Sequence, residues 1–262
     1  MILEEIASYA KLRVQKAEHK IPFSEMRKKA LEMNLKTEFP FEQKLKEEGI
    51  HYICEVKKAS PSKGLIAKEF PYLEIAKEYE TAGAAAISCL TEPKWFKGSN
   101  EYLEKIAETV KIPVLRKDFT VDEYQIYEAK TLGANVVLLI CAILDTDTLK
   151  RYIKICDSLG LSAIVEVHDE KEMQSAVLAG ARIIGVNNRN LKDFTVDITN
   201  STKLRKLAPE NTLFIAESGI KTVDDIQVLK DAKVNGVLIG ETLMRSPDKK
   251  AMLEQLNGGR LE

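Results

Sequence analysis

The sequence predicts an α/β fold, a (β/α)8 TIM barrel with a helical N-terminal extension, on three observations. From about residue 50 onward, eight short apolar, β-branched runs alternate with longer amphipathic stretches. The phrase Gly-Ala recurs where helix-like segments return to strand-like ones, at Ala82-Gly83-Ala84, Leu132-Gly133-Ala134 and Ala179-Gly180-Ala181. Such a repeat marks one βα unit used many times. Eight units in about 210 residues match a TIM barrel in number and size. A doubly wound open sheet is the rival, but its G-x-G-x-x-G fingerprint is missing.

Taken in order, residues 3–14 and 24–34 read as helices, with Pro22 and Pro40 as breaks. Their apolar positions suggest a cap packed on the barrel. The chain is therefore expected to form a single domain over residues 1–262, with 1–48 as the extension and 49–262 as the barrel. Strands are expected at 52–57, 85–90, 114–117, 136–141, 162–167, 183–187, 213–217 and 236–239, where apolar and β-branched residues cluster between turn formers. Helices are expected at 72–82, 101–110, 122–132, 146–159, 170–179, 201–207, 223–230 and 243–255. Asp122, Asp169 and Thr222 suit N-terminal caps. Gly83, Gly133, Gly160 and Gly180 suit the C-terminal ends.

Composition excludes several classes. Lys and Arg number 39 against 40 Asp and Glu, a net charge of −1, so a general nucleic-acid surface is not expected. Cys54, Cys89, Cys141 and Cys156 are scattered without a C-x-x-C pair, which argues against a disulfide scaffold or a zinc site and for a reducing cytoplasm. No His, Asp and Glu spacing resembles a metal site. The start of the chain carries acidic residues where a secretory signal would be basic. The longest apolar run, residues 136–144, is too short to span a bilayer as a helix.

In a TIM barrel, functional groups gather at the C-terminal ends of the strands, and residues two apart on a strand share a face. The first strand ends Glu55-Val56-Lys57, after which Ser60-Pro61-Ser62-Lys63-Gly64 turns the backbone away. Opposite charges aimed into an apolar layer are costly unless paired or used. This end alone reads equally as a structural ion pair or as an acid–base site. The third strand ends with Lys117 and Phe119 on one face, and the fifth ends Glu166-Val167-His168. The sixth ends Asn187-Asn188-Arg189 and the seventh Glu217-Ser218-Gly219. Five polar ends on one rim are difficult to explain as packing. His168 stays open between a site group and a neighbour's hydrogen-bond partner, whereas His19 and His51 lie away from the rim.

Two further features complete the expected site. Ser218-Gly219 and Gly240-Glu241 are each expected to lead into a helix, where backbone N–H groups and the helix dipole favour an anion. Phosphate is expected there, with Ser60 as a further donor. In the loop after the second strand, Trp95 and Phe96 either wall a ring or pin the loop to the barrel.

These motifs together resemble indole-3-glycerol phosphate synthase. The resemblance covers the barrel from about residue 50 to 248 on the repeat scale of such folds, with Glu55-Val56-Lys57-Lys58-Ala59-Ser60-Pro61-Ser62 as its most specific part. Leu115-Arg116-Lys117-Asp118-Phe119, Val165-Glu166-Val167-His168, Ile184-Gly185-Val186-Asn187-Asn188-Arg189 and Ala216-Glu217-Ser218-Gly219-Ile220 add to it, as does the helical extension. Glu241 departs from the serine found in some members.

The resemblance implies a lyase of tryptophan biosynthesis acting on 1-(2-carboxyphenylamino)-1-deoxyribulose 5-phosphate by ring closure, decarboxylation and dehydration, without a cofactor. It implies catalytic roles for Glu55, Lys57, Lys117, Glu166 and Asn187. Substrate contacts are implied for Ser60, Phe96, Phe119, Arg189, Glu217 and Ser218, and phosphate contacts for Ser60, Ser218, Gly219, Gly240 and Glu241. By that analogy Lys117 is the general acid, with a pKa lowered by neighbouring cations, and Glu166 is the base. Glu55 either shares that duty or orients the lysines. The expected partners are the small-molecule substrate and other tryptophan-pathway enzymes, with no nucleic acid and no membrane. Two other readings of the residues remain: a Schiff-base aldolase built on Lys57 or Lys117, and a barrel that binds a phosphosugar without turnover.

Overall fold

The structure is a computed structural model that describes residues 2–190 and 193–258; the ends of the expected 1–262 unit lie outside the described residues. Eight parallel strands close into a barrel in sequence order, each hydrogen-bonded to the next and the last to the first. They are His51–Val56, Ala86–Leu90, Val114–Lys117, Val136–Ile140, Ser162–Val167, Ile183–Asn187, Leu213–Glu217 and Gly236–Ile239, here numbered first to eighth. The expected strands are found within about a residue at each end, the usual scatter of element boundaries.

Alternation along these strands separates two apolar layers. Outward residues such as Cys54, Val137, Val165 and Phe214 pack under the ring of helices. Inward residues, among them Ile53, Leu115, Leu138, Ile164, Ile215 and Leu238, fill the barrel interior. The helices bury one stripe each: Leu149, Tyr152, Ile153 and Cys156 in Thr146–Ser158 follow the helical spacing that the sequence shows. Asp169 and Thr222 cap their helices, accepting from the N–H groups of Glu172 and Asp225. Asp122 accepts from Tyr124 N–H, one position before the cap residue Glu123.

The extension holds the barrel at both ends. Helix Ile2–Lys20, longer than expected, crosses the C-terminal rim, and Arg13 grips the buried Asp118 with two hydrogen bonds of 2.7 and 3.0 Å. Helix Phe23–Leu31 packs on Tyr124–Thr131, where Phe23 meets Tyr127 edge-on. Pro40 proves to be a start and not a break, because proline is tolerated at the first helical position. Helix Pro40–Lys46 inserts Phe41 and Leu45 into the interior cluster from the N-terminal end of the strands. Gly236 leaves room for Leu45, whose Cδ2 would lie 3.0 Å from a Cβ there. Glu42 locks this plug through Arg182, which also binds Asp157.

Two expected helices are also corrected. The stretch 243–255 is not one helix: Pro247 divides it into Glu241–Arg245 and Lys249–Leu256, the second capped by Asp248. The helix expected at 201–207 spans Thr199–Arg205, since its first turn is set by the Asp197 side chain accepting from Thr199 N–H. The first loop contains a small antiparallel pair, Ala59–Ser60 with Gly64–Leu65, too short to leave a periodic signal.

Candidate active site

The last inward layer of the barrel is where the apolar filling stops. Glu55, Lys117, Glu166, Asn187 and Glu217 stand there at the C-terminal ends of their strands, and with Leu138, Ile140 and Leu238 they line one cavity of about 730 Å³. Register sets Asn187 opposite Glu217, Glu166 opposite Gly185 and Lys117 opposite Leu90. Lys57, Ser60, Phe96, Phe119, Arg189, Ser218, Gly219, Gly240 and Glu241 line the same cavity. Every expected site residue is therefore brought together.

Lys117 is the centre of the charge network. Its ammonium lies 2.5 Å from Glu217 Oε2 and 3.2 Å from Glu166 Oε2. Burial works against the ammonium, but Glu217, Glu166 and Glu55 outweigh it and hold its pKa above the ordinary lysine value. The expectation that neighbouring cations would lower this pKa is corrected, because the groups facing Lys117 are acids. The two acids are themselves pushed apart. Burial tends to raise Glu166, yet Lys117 and His168 overcome it and keep the carboxylate well below its usual range. Burial dominates at Glu217, whose pKa is pushed up to about 7, helped by the nearby Glu166 charge and resisted by Lys117. The asymmetry follows from partners. Glu166 also faces Asn187 Nδ2 at 3.4 Å and His168, whereas Glu217 Oε1 is buried without a hydrogen bond. That oxygen rests against Gly185, where any Cβ would collide with it.

Glu55 and Lys57 form an ion pair with each other at the end of the first strand. The pair nests against Gly240, at which a Cβ would strike both side chains. Glycine at 240 thus has a steric reason independent of phosphate. Asn187 is held by Ser218 Oγ at 3.0 Å and by the Arg189 N–H at 3.1 Å. Asn188 points outward, donating to the Ser218 carbonyl and accepting from Ser201. Ser218 has a left-handed φ of 67°, a strained conformation for serine of the kind found at sites. Ser218-Gly219 does not lead straight into a helix, since Val223–Asp231 begins only after Thr222. Gly240 does, as the residue before the short helix Glu241–Arg245. Glu241 turns to the mouth and meets Arg245 at 3.1 Å and Lys63 at 3.8 Å.

The aromatic pair divides its labour. Phe96 lines the cavity with Phe119, ring centroids 6.3 Å apart. Trp95 pins the loop to the N-terminal helix by an edge contact with Tyr9 at 5.6 Å. Both depend on Glu92, which sequence reasoning passed over. It is fully buried and its carboxylate accepts from the N–H groups of Lys94, Trp95 and Phe96. The Arg13–Asp118 clamp was equally illegible, its partners lying far apart along the chain. Ile2, Leu3 and Ile6 of the first helix add an apolar edge to the mouth.

The comparisons with known proteins agree along the whole chain. The family model for indole-3-glycerol phosphate synthase matches residues 3–256. A protein of Ruminiclostridium cellulolyticum bearing that name is 58% identical over 258 residues, covering 98% of this chain and 99% of its own. One from Endomicrobium trichonymphae, with the same name, is 53% identical over 256 residues, covering 98% and 99%. Among solved structures, a 3-hexulose-6-phosphate synthase superposes with a TM-score of 0.63 at 15% identity, over 80% of this chain and 99% of that one; this likeness concerns the barrel alone. The extension falls inside the family match together with the barrel. The chain belongs to the indole-3-glycerol phosphate synthase family.

Proposed function

We propose that the chain converts 1-(2-carboxyphenylamino)-1-deoxyribulose 5-phosphate to indole-3-glycerol phosphate, CO2 and water, with Lys117 as the general acid of ring closure and Glu166 as the base of dehydration. The observation that carries this reading is the Lys117 ammonium held between Glu166 and Glu217 on the floor of the cavity. Attack of the aromatic carbon on the sugar ketone places negative charge on oxygen. An alkoxide is a stronger base than an amine, so Lys117 delivers its proton despite the raised pKa. That raised pKa also keeps the proton in place until the ketone arrives.

Lys57 holds the benzoate carboxylate and later protonates the departing hydroxyl; Glu55, its ion-pair partner, orients it. Phe96, Phe119, Leu138 and Ile140 surround the ring, and displacing water from the carboxylate favours loss of CO2. Asn187 and Arg189 position the sugar hydroxyls. Phosphate sits at Ser60, Ser218, Gly219, Gly240 and Glu241, the last two opening the helix Glu241–Arg245, whose first N–H groups lack intrahelical acceptors. The four cysteines are unpaired, which supports a reducing, cytoplasmic setting. No helix among the described residues is long and apolar enough to cross a membrane.

A Schiff-base mechanism is disfavoured by the same geometry, since an amine must lose its proton before attacking a carbonyl and Lys57 and Lys117 both face carboxylates. The test is single-turnover kinetics with separate readings of CO2 and indole. Lys117→Ala is expected to lower both by about 10²–10⁴-fold while still binding substrate. Glu166→Gln is expected to release CO2 ahead of indole. Wild-type-like closure in the first variant, or CO2 and indole in step at the wild-type rate in the second, would remove the assigned roles.

A further inference from the structure

His168 lies one residue beyond the fifth strand and is not among the residues lining the cavity, yet it is held, partly buried, between two carboxylates. Its Nδ1 is 3.0 Å from Glu172 Oε2, and the same oxygen accepts from its backbone N–H at 2.8 Å. Its Nε2 is 3.3 Å from Glu166 Oε1, off the line of a hydrogen bond, and has no other partner. Asn200 Nδ2 donates to the His168 carbonyl at 3.0 Å. Glu172 is fixed in turn by Asp169, which accepts from its N–H as the cap of helix Glu170–Ala179. The charged groups facing the ring are thus Glu166 from the fifth strand and Glu172 from the following helix, with Lys117 beyond Glu166, while Cys141 and Asp169 meet Glu172 rather than the ring.

A ring with a carboxylate at each nitrogen is satisfied only as imidazolium, with both nitrogens donating. Burial lowers the His168 pKa, but the neighbouring Glu166 and Glu172 carboxylates overcome this and take it to about 10. The consequence concerns Glu166. While Lys117 stays beside it, Glu166 has two cations; once Lys117 turns to the ketone oxygen, one remains. We infer that His168, tethered by Glu172, is a positioning residue that keeps the Glu166 carboxylate ionised and aimed into the cavity after Lys117 has moved to substrate. This rests on the reading of Glu166 as the base. The unfilled Nε2 is the slack in the device: a small rotation of the ring completes the bond to Oε1 when Lys117 leaves.

A cation within a few ångströms lowers a carboxyl pKa by about 1–3 units. Removing it by His168→Asn should therefore move the acid limb of the kcat profile up by about one pH unit or more. Glu172→Gln, which keeps the histidine and loosens its tether, should move the limb the same way by less, and KM should change little in both. In a Glu166→Gln background, His168→Asn should cost no further activity, as expected for residues acting as one unit. An acid limb unmoved in folded His168→Asn and Glu172→Gln, or a full additive loss in the double variant, would overturn the inference. If His168→Asn does not fold, the limb of Glu172→Gln decides the question alone. A Glu166→Gln enzyme of undiminished activity would instead remove the underlying role of Glu166, so the two failures are distinguishable.

Discussion

The space that a side chain at position 240 would need is taken by the Glu55–Lys57 ion pair. Gly240→Ala would push one partner off the other and displace Lys57 from the carboxylate it is proposed to hold. Misplacement of a reacting group by about 1 Å costs on the order of 10²-fold in rate, so kcat should fall by about that factor with the thermal midpoint little changed. Steady-state kinetics beside a melting curve checks both. The strand-end acids and bases were legible because alternation on a strand is a rigid rule: position 117 faces inward if position 115 does. What alternation cannot supply is the identity of the neighbours on other strands. Lys117 was expected among cations and stands among acids, a fact fixed by barrel register. Glu217 changes most, from one implied substrate contact among several to the nearest partner of Lys117.

Among the elements, the plug helix Pro40–Lys46 and the rim helix Ile2–Lys20 do different work. Phe41 is fully buried in the barrel interior, remote from the cavity at the opposite end. Phe41→Ala should destabilise the protein by about 3–5 kcal/mol, the range for deleting a buried aromatic, while leaving KM unchanged; chemical denaturation and kinetics measure the two. The alternating strands and helices could be read from composition and period because each carries its own signal. The plug could not, since seven residues show little periodicity and Pro40 reads locally as a break. Arg13 with Asp118, and Arg182 with Glu42, join residues distant in sequence, and pairings of that kind leave no trace in local pattern.

Across the whole molecule, the barrel has one closed end and one open end. The plug and its Glu42–Arg182–Asp157 lock seal the N-terminal side of the strands, and the charged layer meets the cavity on the other, the division expected of this fold. We propose that extension and barrel unfold as one unit, with fluorescence of Trp95 near the rim and far-ultraviolet dichroism giving coincident transitions. The pH dependence of that transition follows from the buried charges. Folding raises His168 from 6.5 to about 10 and Glu217 from 4.5 to about 7. Raised groups stabilise fully below their unfolded values and lose that stabilisation as pH rises through the folded ones. Glu166 is depressed, so its contribution is present above 4.5 and lost as pH falls. The thermal midpoint should therefore decline from about pH 4.5 to pH 10, through Glu217 up to about 7 and through His168 from 6.5 to about 10, and His168→Asn should flatten the upper part of the fall. A rising midpoint over that range would contradict the charge states assigned to the site.

Fluorescence of the indole product reads the proposed reaction itself. Purified protein, verified as folded by its cooperative melt, is mixed with 1-(2-carboxyphenylamino)-1-deoxyribulose 5-phosphate while indole emission is followed. Emission should rise, matched mole for mole by CO2, with only a slow trace of it from Lys117→Ala. Folded wild-type protein that binds this substrate and yields neither indole emission nor CO2 would contradict the proposed reaction.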